Sequence, residues 1–203
     1  SISGNLCRCT GYRPIVDAAK SLNNNIKSDQ FKKNEKKTIA LLKKIKLQNI
    51  SINNSNKKYF APRTISELKK VIKKYPNAKL LSGGTDMSLI VTKEKKDINN
   101  IIYLNSIDEL NYIKENSTYI EVGATTSLRK FESFIKKYYA DFHTILKRYG
   151  SIQIRNVATI AGNIATASPI GDTLPLLLSL DARVVLQNLN KITVLPLKNF
   201  FIG

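Results

Sequence analysis

The chain has 203 residues, 42% of them hydrophobic, enough for one sizeable domain plus a smaller piece with a buried core. No run of about 18 apolar residues occurs, which argues against a membrane span, and no signal peptide is visible, so the expected location is cytoplasmic. The net charge of +18 invites a nucleic-acid reading, but lysine supplies 26 of the 33 basic residues and is dispersed, asparagine is also abundant, and AT-rich coding is a sufficient cause. No RNA-binding motif or zinc finger appears, so nucleic acid is not expected as a partner. The start SISGNLC and the end PLKNFFIG read as those of a piece of a longer polypeptide.

Residues 1–20 hold a compact motif, GNLCRCTGYRPIVDAAK. Cys7 and Cys9 are the only cysteines. A CxC pair places two thiolates close together, as a soft metal or an iron–sulfur cluster requires, yet a cluster needs four ligands. Ordinary thiols would also account for these residues, although Gly4, Asn5, Thr10, Gly11 and Pro14 favour an organised site. Residues 21–57 are rich in Lys, Asn and Ser and read as a solvated linker. Leu41, Leu42, Ile45 and Leu47 predict one short amphipathic helix within it.

From residue 58 the pattern is globular. Thr64 and Glu67 have capping-box spacing, predicting a helix through Leu68, Val71 and Ile72 that stops near Pro76. Residues 78–81 read as a buried strand, 82–86 as a loop and 87–92 as a short turn or helix. Strands are expected at 101–104, 119–122 and 183–186, and helices at 128–138, 142–151 and 174–180. Such alternation indicates α+β or α/β architecture.

Two stretches suggest binding. In the loop 81–88, LSGGTDMS, backbone amides can converge on phosphate, and Gly83 and Gly84 remove Cβ atoms that would block its approach. A plain glycine turn explains it equally well. Asp86 would repel a phosphate unless its carboxylate turns onto backbone donors or a ribose hydroxyl. The segment 153–175, QIRNVATIAGNIATASPIGDTLP, is dominated by small residues, with Pro169 and Pro175 as breaks. It reads as the wall of a cofactor pocket rather than as packing, with a tight bend against other backbone as the alternative. Its only charges, Arg155 and Asp172, either pair with each other or leave Asp172 to accept from a ribose or adenine group. Tyr149 either packs on a flat ring or fills core. His143 has no partner for a nucleophilic triad and reads as an ordinary helix histidine.

GNLCRCTGYRPI at 4–15, FAPRTISELKKVI at 60–72, LLSGGTDMSLIVTK at 80–93 and GSIQIRNVATIAGNIATASPIGDTLP at 150–175 follow one another in a single order. Together they resemble the small, iron–sulfur and FAD subunit of bacterial xanthine dehydrogenases, in the molybdenum hydroxylase family. The resemblance implies an α+β fold: an FAD-binding domain of the vanillyl-alcohol oxidase (PCMH) type at 58–203, preceded by the end of a helical [2Fe–2S] domain at 1–20 and the linker at 21–57.

By carry-over, Leu81, Ser82, Gly83, Gly84, Thr85, Asp86, Met87 and Ser88 hold the FAD pyrophosphate. Ala158, Thr159, Ala161, Gly162, Asn163 and Thr166 line the flavin and its ribityl chain, Tyr149 stands near the flavin, and Asp172 meets the adenosine end. Cys7 and Cys9 become two of four ligands to one [2Fe–2S] cluster. None of these residues is catalytic; they bind. The implied role is electron transfer in purine oxidation, hypoxanthine and xanthine to urate, in a hetero-oligomer. Electrons pass from a molybdopterin-binding large subunit through [2Fe–2S] clusters to FAD and NAD+. An aldehyde, N-heterocycle or CO dehydrogenase stays open as an alternative, as does a non-catalytic fragment or assembly module.

The sequence departs from the family pattern at several points. The upstream CxxC pair and the second-cluster domain are absent, Ala161 stands where many relatives have Gly, and the rest of the flavin domain is missing. The piece by itself is therefore expected to be inactive and to bind FAD poorly.

Overall fold

The computed structural model describes residues 7, 9, 11–21, 29–45, 47–168 and 171–201. Gly4, Asn5, Thr10 and Pro169 thus lie outside the described residues. The chain divides into two units, Ser1–Leu47 and Gln48–Gly203. The first contains helices α1 (Arg13–Ser21) and α2 (Gln30–Lys43). Asp29 starts α2 by accepting the Lys32 amide at 2.7 Å. The helix carries Leu41 and Leu42 but ends before Ile45 and Leu47, where the Lys44 amide turns back onto the Leu41 and Leu42 carbonyls.

The second unit opens with β1 (Ile50–Asn54) and β2 (Lys57–Ala61), an antiparallel hairpin. The globular part therefore begins at Gln48, inside the stretch read as linker. The sequence hid β1 because it is an edge strand exposed along its whole length, without the apolar alternation a core-facing strand shows. Next come α3 (Ile65–Lys74), β3 (Lys79–Leu81), α4 (Met87–Thr92) and β4 (Asn100–Tyr103). The sheet order is β1-β2-β4-β3, and β4 runs parallel to both β2 and β3. Phe60, Ala61, Ile102 and Ile107 are buried. Contrary to expectation, β3 is exposed at Lys79 and Leu80, because it is the other edge of the sheet.

The remainder holds β5 (Ile113–Glu115), β6 (Ile120–Val122), α5 (Leu128–Ile135), α6 (Ala140–Arg148), α7 (Ile152–Val157), α8 (Ile160–Thr166), α9 (Thr173–Ser179), β7 (Arg183–Gln187) and β8 (Ile192–Pro196). β5 pairs with β6 and β7 with β8, each pair antiparallel. The core cluster joins Leu128, Phe131 and Ile135 of α5 to Phe142 and Leu146 of α6 and to Ala158 and Ile160. None of the described helices is long and apolar enough to cross a membrane.

The capping box forms as expected. Thr64 Oγ1 accepts the Glu67 amide at 3.2 Å, and the Glu67 carboxylate accepts the Thr64 amide at 3.1 Å. The Asn49 side chain and the Arg63 amide also donate to Glu67, and these bonds, the Asn49 one foremost, hold its carboxyl below the ordinary value of 4.5. The linked stability is complete above that value and falls as pH drops through the lowered folded one. Thr64→Ala is expected to cost about 1 kcal/mol in urea unfolding. Glu67→Gln is expected to flatten the acid limb of the stability profile; an unchanged limb would refute this role.

Candidate functional site

The site is built where β3 ends. The Leu104 amide donates to the Leu81 carbonyl at 2.8 Å, and Ser82 Oγ donates to Asn105 Oδ1 at 2.6 Å, tying the exits of β3 and β4 together. The chain then turns through Gly84 at φ +70°, a conformation that glycine adopts without penalty. A Cβ on Gly83 would lie 2.2 Å from the Val157 carbonyl oxygen and 2.9 Å from the Ala158 Cα. Gly83 is therefore not bare to admit a ligand, as the sequence suggested; it is bare so that the loop can lie against the backbone between α7 and α8. That contact unites the two stretches the sequence singled out.

Among the described residues, no hydrogen bond satisfies the amides of Gly83, Gly84, Thr85 and Asp86. Asp86 stands at the N-cap of α4, yet its side chain makes no capping bond. Its carboxylate does not turn onto the loop's own donors, and the four amides stay available. Met87 and Ser88 begin the helix, where the Ser88 amide donates to the Gly84 carbonyl at 2.9 Å.

The wall at 153–175 contains two short helices broken at Ala158, where neither periodicity nor bulk had announced a helix. Ser151 caps α7 and Thr159 caps α8, the latter accepting the Gly162 amide at 3.0 Å. The Ala158 carbonyl accepts the Leu128 amide at 2.7 Å, fastening the break to α5. Part of the wall is packing after all: Ala158, Thr159, Ile160 and Asn163 are buried. Ala161 and Gly162 are half-buried, and Thr166 is exposed, its hydroxyl returned to the Gly162 and Asn163 carbonyls. Asp172 is exposed at the N-cap of α9 and, like Asp86, makes no capping bond.

Of the two alternatives for Arg155 and Asp172, their pairing with each other does not form. Arg155 Nε donates to Glu132 Oε2 at 3.0 Å, with both side chains buried, and Nη1 donates to the carbonyls of Tyr149 and Gly150 at 3.0 and 2.8 Å. Glu132 also accepts from Arg129 at 2.8 Å, and His143 Nε2 lies 3.9 Å from Oε1. A buried guanidinium thus holds the turn that carries Tyr149. Sequence reasoning missed Glu132, although a signal existed: it falls on the same helical face as Leu128, Phe131 and Ile135, where a carboxylate requires a partner.

Of the two roles the sequence left open for Tyr149, the structure shows core filling. Its ring packs against the core cluster, while its hydroxyl accepts from Asn163 Nδ2 at 3.0 Å. Burial foremost, then the nearby charges of Asp86 and Asp172, hold its proton above the ordinary value of 10.0, and the Asn163 donor partly offsets them. The wall thus contacts this hydroxyl through Asn163, and the charges of the loop's Asp86 and of Asp172 act on it. Cys7 and Cys9 bring their sulfurs within 3.2 Å, and among the described residues no group of three metal-ligating side chains occurs.

The family model described as the FAD binding domain in molybdopterin dehydrogenase matches residues 50–203. The whole chain is 30% identical to 19% of the length of a xanthine dehydrogenase from Emericella nidulans. It is 32% identical, over 71% of its own length, to half of a nicotinate dehydrogenase FAD-subunit from Eubacterium barkeri. Among solved structures, a chain of the carbon monoxide dehydrogenase from Hydrogenophaga pseudoflava superposes with a TM-score of 0.68 at 26% identity, covering 75% of this chain and 54% of that one. The chain thus spans a fifth to a half of the relatives it matches, and the uncapped aspartates and open amides sit in the matched part. With that match over most of its length, the chain belongs to the family of FAD-binding domains of molybdopterin dehydrogenases.

Proposed function

We propose that this chain is the flavin-holding part of a cytoplasmic xanthine dehydrogenase-type molybdenum hydroxylase, working with a molybdopterin-binding partner subunit. One observation carries the reading: Gly83 seats the loop on the Val157–Ala158 backbone, while four consecutive amides, Gly83 to Asp86, have no acceptor among the described residues. An array of open amides ahead of a helix suits a pyrophosphate. Bound FAD would supply two-electron chemistry, accepting electrons from iron–sulfur clusters and passing hydride to NAD+. The protein's share is to bind and orient. Residues 81–88 hold the phosphates. Ala158, Thr159, Ala161, Gly162, Asn163 and Thr166 form the flavin wall, the buried ones through their backbone. Asp172, unspent on its own helix, accepts from the adenosine end. Cys7 and Cys9 are two of four [2Fe–2S] ligands, the other two lying outside these 203 residues, which contain no further cysteine.

The intact protein, purified with its partner subunit, is expected to show flavin absorbance and xanthine-dependent NAD+ reduction. Lack of flavin rejects the reading as a whole. Turnover of nicotinate or aldehydes without purines would reject only the substrate class, and the similarity to the nicotinate dehydrogenase subunit makes an N-heterocycle the second reading. Asp172→Ala is expected to weaken FAD binding about tenfold or more, as loss of a hydrogen bond to a charged group does, with an unchanged Tm. Fluorescence titration checks the first expectation and thermal unfolding the second.

A further inference from the structure

Thr173 is completely buried, with an exposure of 0%, and its hydroxyl donates to Asn163 Oδ1. Among the described residues no other acceptor serves that hydroxyl, so the Asn163 carbonyl is held to it. An asparagine amide has one acceptor end and one donor end. With the carbonyl taken, the NH2 group must face the other way, and it does: Nδ2 donates to Tyr149 Oη at 3.0 Å. The slot is narrow, since a Cβ on Gly171 would lie 3.1 and 3.2 Å from the two amide atoms. Tyr149 then accepts from inside the protein, and its own proton is left for an acceptor on the other side. Tyr149 is only half-buried, and the charges of Asp86 and Asp172 act on its hydroxyl.

We propose that Thr173 is a positioning residue that sets the direction of a hydrogen-bond relay from Thr173 through Asn163 to Tyr149, and so presents the Tyr149 hydroxyl as a donor to the bound FAD. The inference rests on the flavin-holding role proposed above. Without the Thr173 hydroxyl, Asn163 can reverse, its carbonyl then takes the Tyr149 proton, and the donor facing the cofactor is lost. In this account the side chains of Thr173 and Asn163 do not touch the cofactor, Asn163 meeting it only through its backbone; Thr173 acts through Asn163.

The test uses the intact protein and four variants: Thr173→Val, Thr173→Ser, Tyr149→Phe and the Thr173→Val/Tyr149→Phe pair. Fluorescence titration is expected to show about five- to tenfold weaker FAD binding for Thr173→Val, the loss of one neutral hydrogen bond. Thr173→Ser should restore wild-type affinity. Tyr149→Phe should show a similar loss, and adding Thr173→Val to it should change nothing further. Losses that multiply in the pair would overturn the relay, because a merely structural Thr173 would act whatever residue stands at 149. A second readout needs no FAD: the titration of Tyr149 in flavin-stripped protein, followed with 13Cζ-labelled tyrosine. Reversal of Asn163 replaces a donor to the phenol oxygen by an acceptor of its proton, so Thr173→Val should move that titration upward and Thr173→Ser should leave it in place. A downward or absent shift overturns the relay. Failure of the wild type to bind FAD would overturn the flavin-holding reading and the relay's assigned target, while the titration would still report whether Thr173 orients Asn163.

Discussion

Replacing Gly83 with alanine is expected to eliminate FAD retention and to cost about 3 kcal/mol of stability, at the upper end of the usual range for overpacking. The added methyl would meet the Val157 carbonyl oxygen at 2.2 Å and its carbon at 2.7 Å. Both partners are backbone, so no rotamer change relieves the clash; the loop must leave the α7–α8 break or the break must leave α5. Either movement separates the open amides from the wall. Gly84→Ala provides the control. Its Cβ would meet only a Leu81 methyl at 3.2 Å, and the cost is that of a left-handed alanine, about 1 kcal/mol. Urea unfolding and flavin content after gel filtration measure the two effects. Equal destabilisation by both variants would show that the Gly83 contact does not hold the site together.

Glu132→Ala is expected to destabilise the Gln48–Gly203 unit by about 3–5 kcal/mol, the range for leaving a buried charge without its partner. Arg155 would keep its carbonyl acceptors at Tyr149 and Gly150 but lose the carboxylate that compensates its charge at 7% exposure. The double variant Glu132→Leu/Arg155→Met removes both charges with similar volume, and should recover most of the stability, as apolar replacement of buried ion pairs often does. It should not recover FAD affinity, because the guanidinium that ties down the Tyr149–Gly150 turn is gone. Chemical denaturation and flavin titration separate these outcomes. Full recovery of both would mean that Arg155 stabilises the fold without positioning the site.

These two expectations mark where sequence reading was effective and where it stopped. Local signals worked because their physics is local. The Thr64–Glu67 box is decided within four residues, and the helix at Met87–Thr92 follows directly from the glycine loop. The charge partner of Arg155 could not be found that way, since Glu132 lies 23 positions earlier and only the packing of α5 against α7 brings it near. Asp172, the partner within the same segment, was nearer in sequence and wrong in space. Strand β1 escaped for a different reason: with both faces exposed, nothing in its composition had to differ from a linker.

The sequence by itself determined that the chain pairs a glycine loop with a small-residue segment and places a CxC ahead of both, an order that already carries the family resemblance. Only the tertiary structure decided what the small residues are for. Gly83 makes room for backbone rather than for ligand, Thr159 caps a helix, and Asn163 accepts from the buried Thr173 hydroxyl. The reason is physical: residue type fixes which groups a position can offer, but steric exclusion and hydrogen-bond direction depend on neighbours that the fold alone supplies.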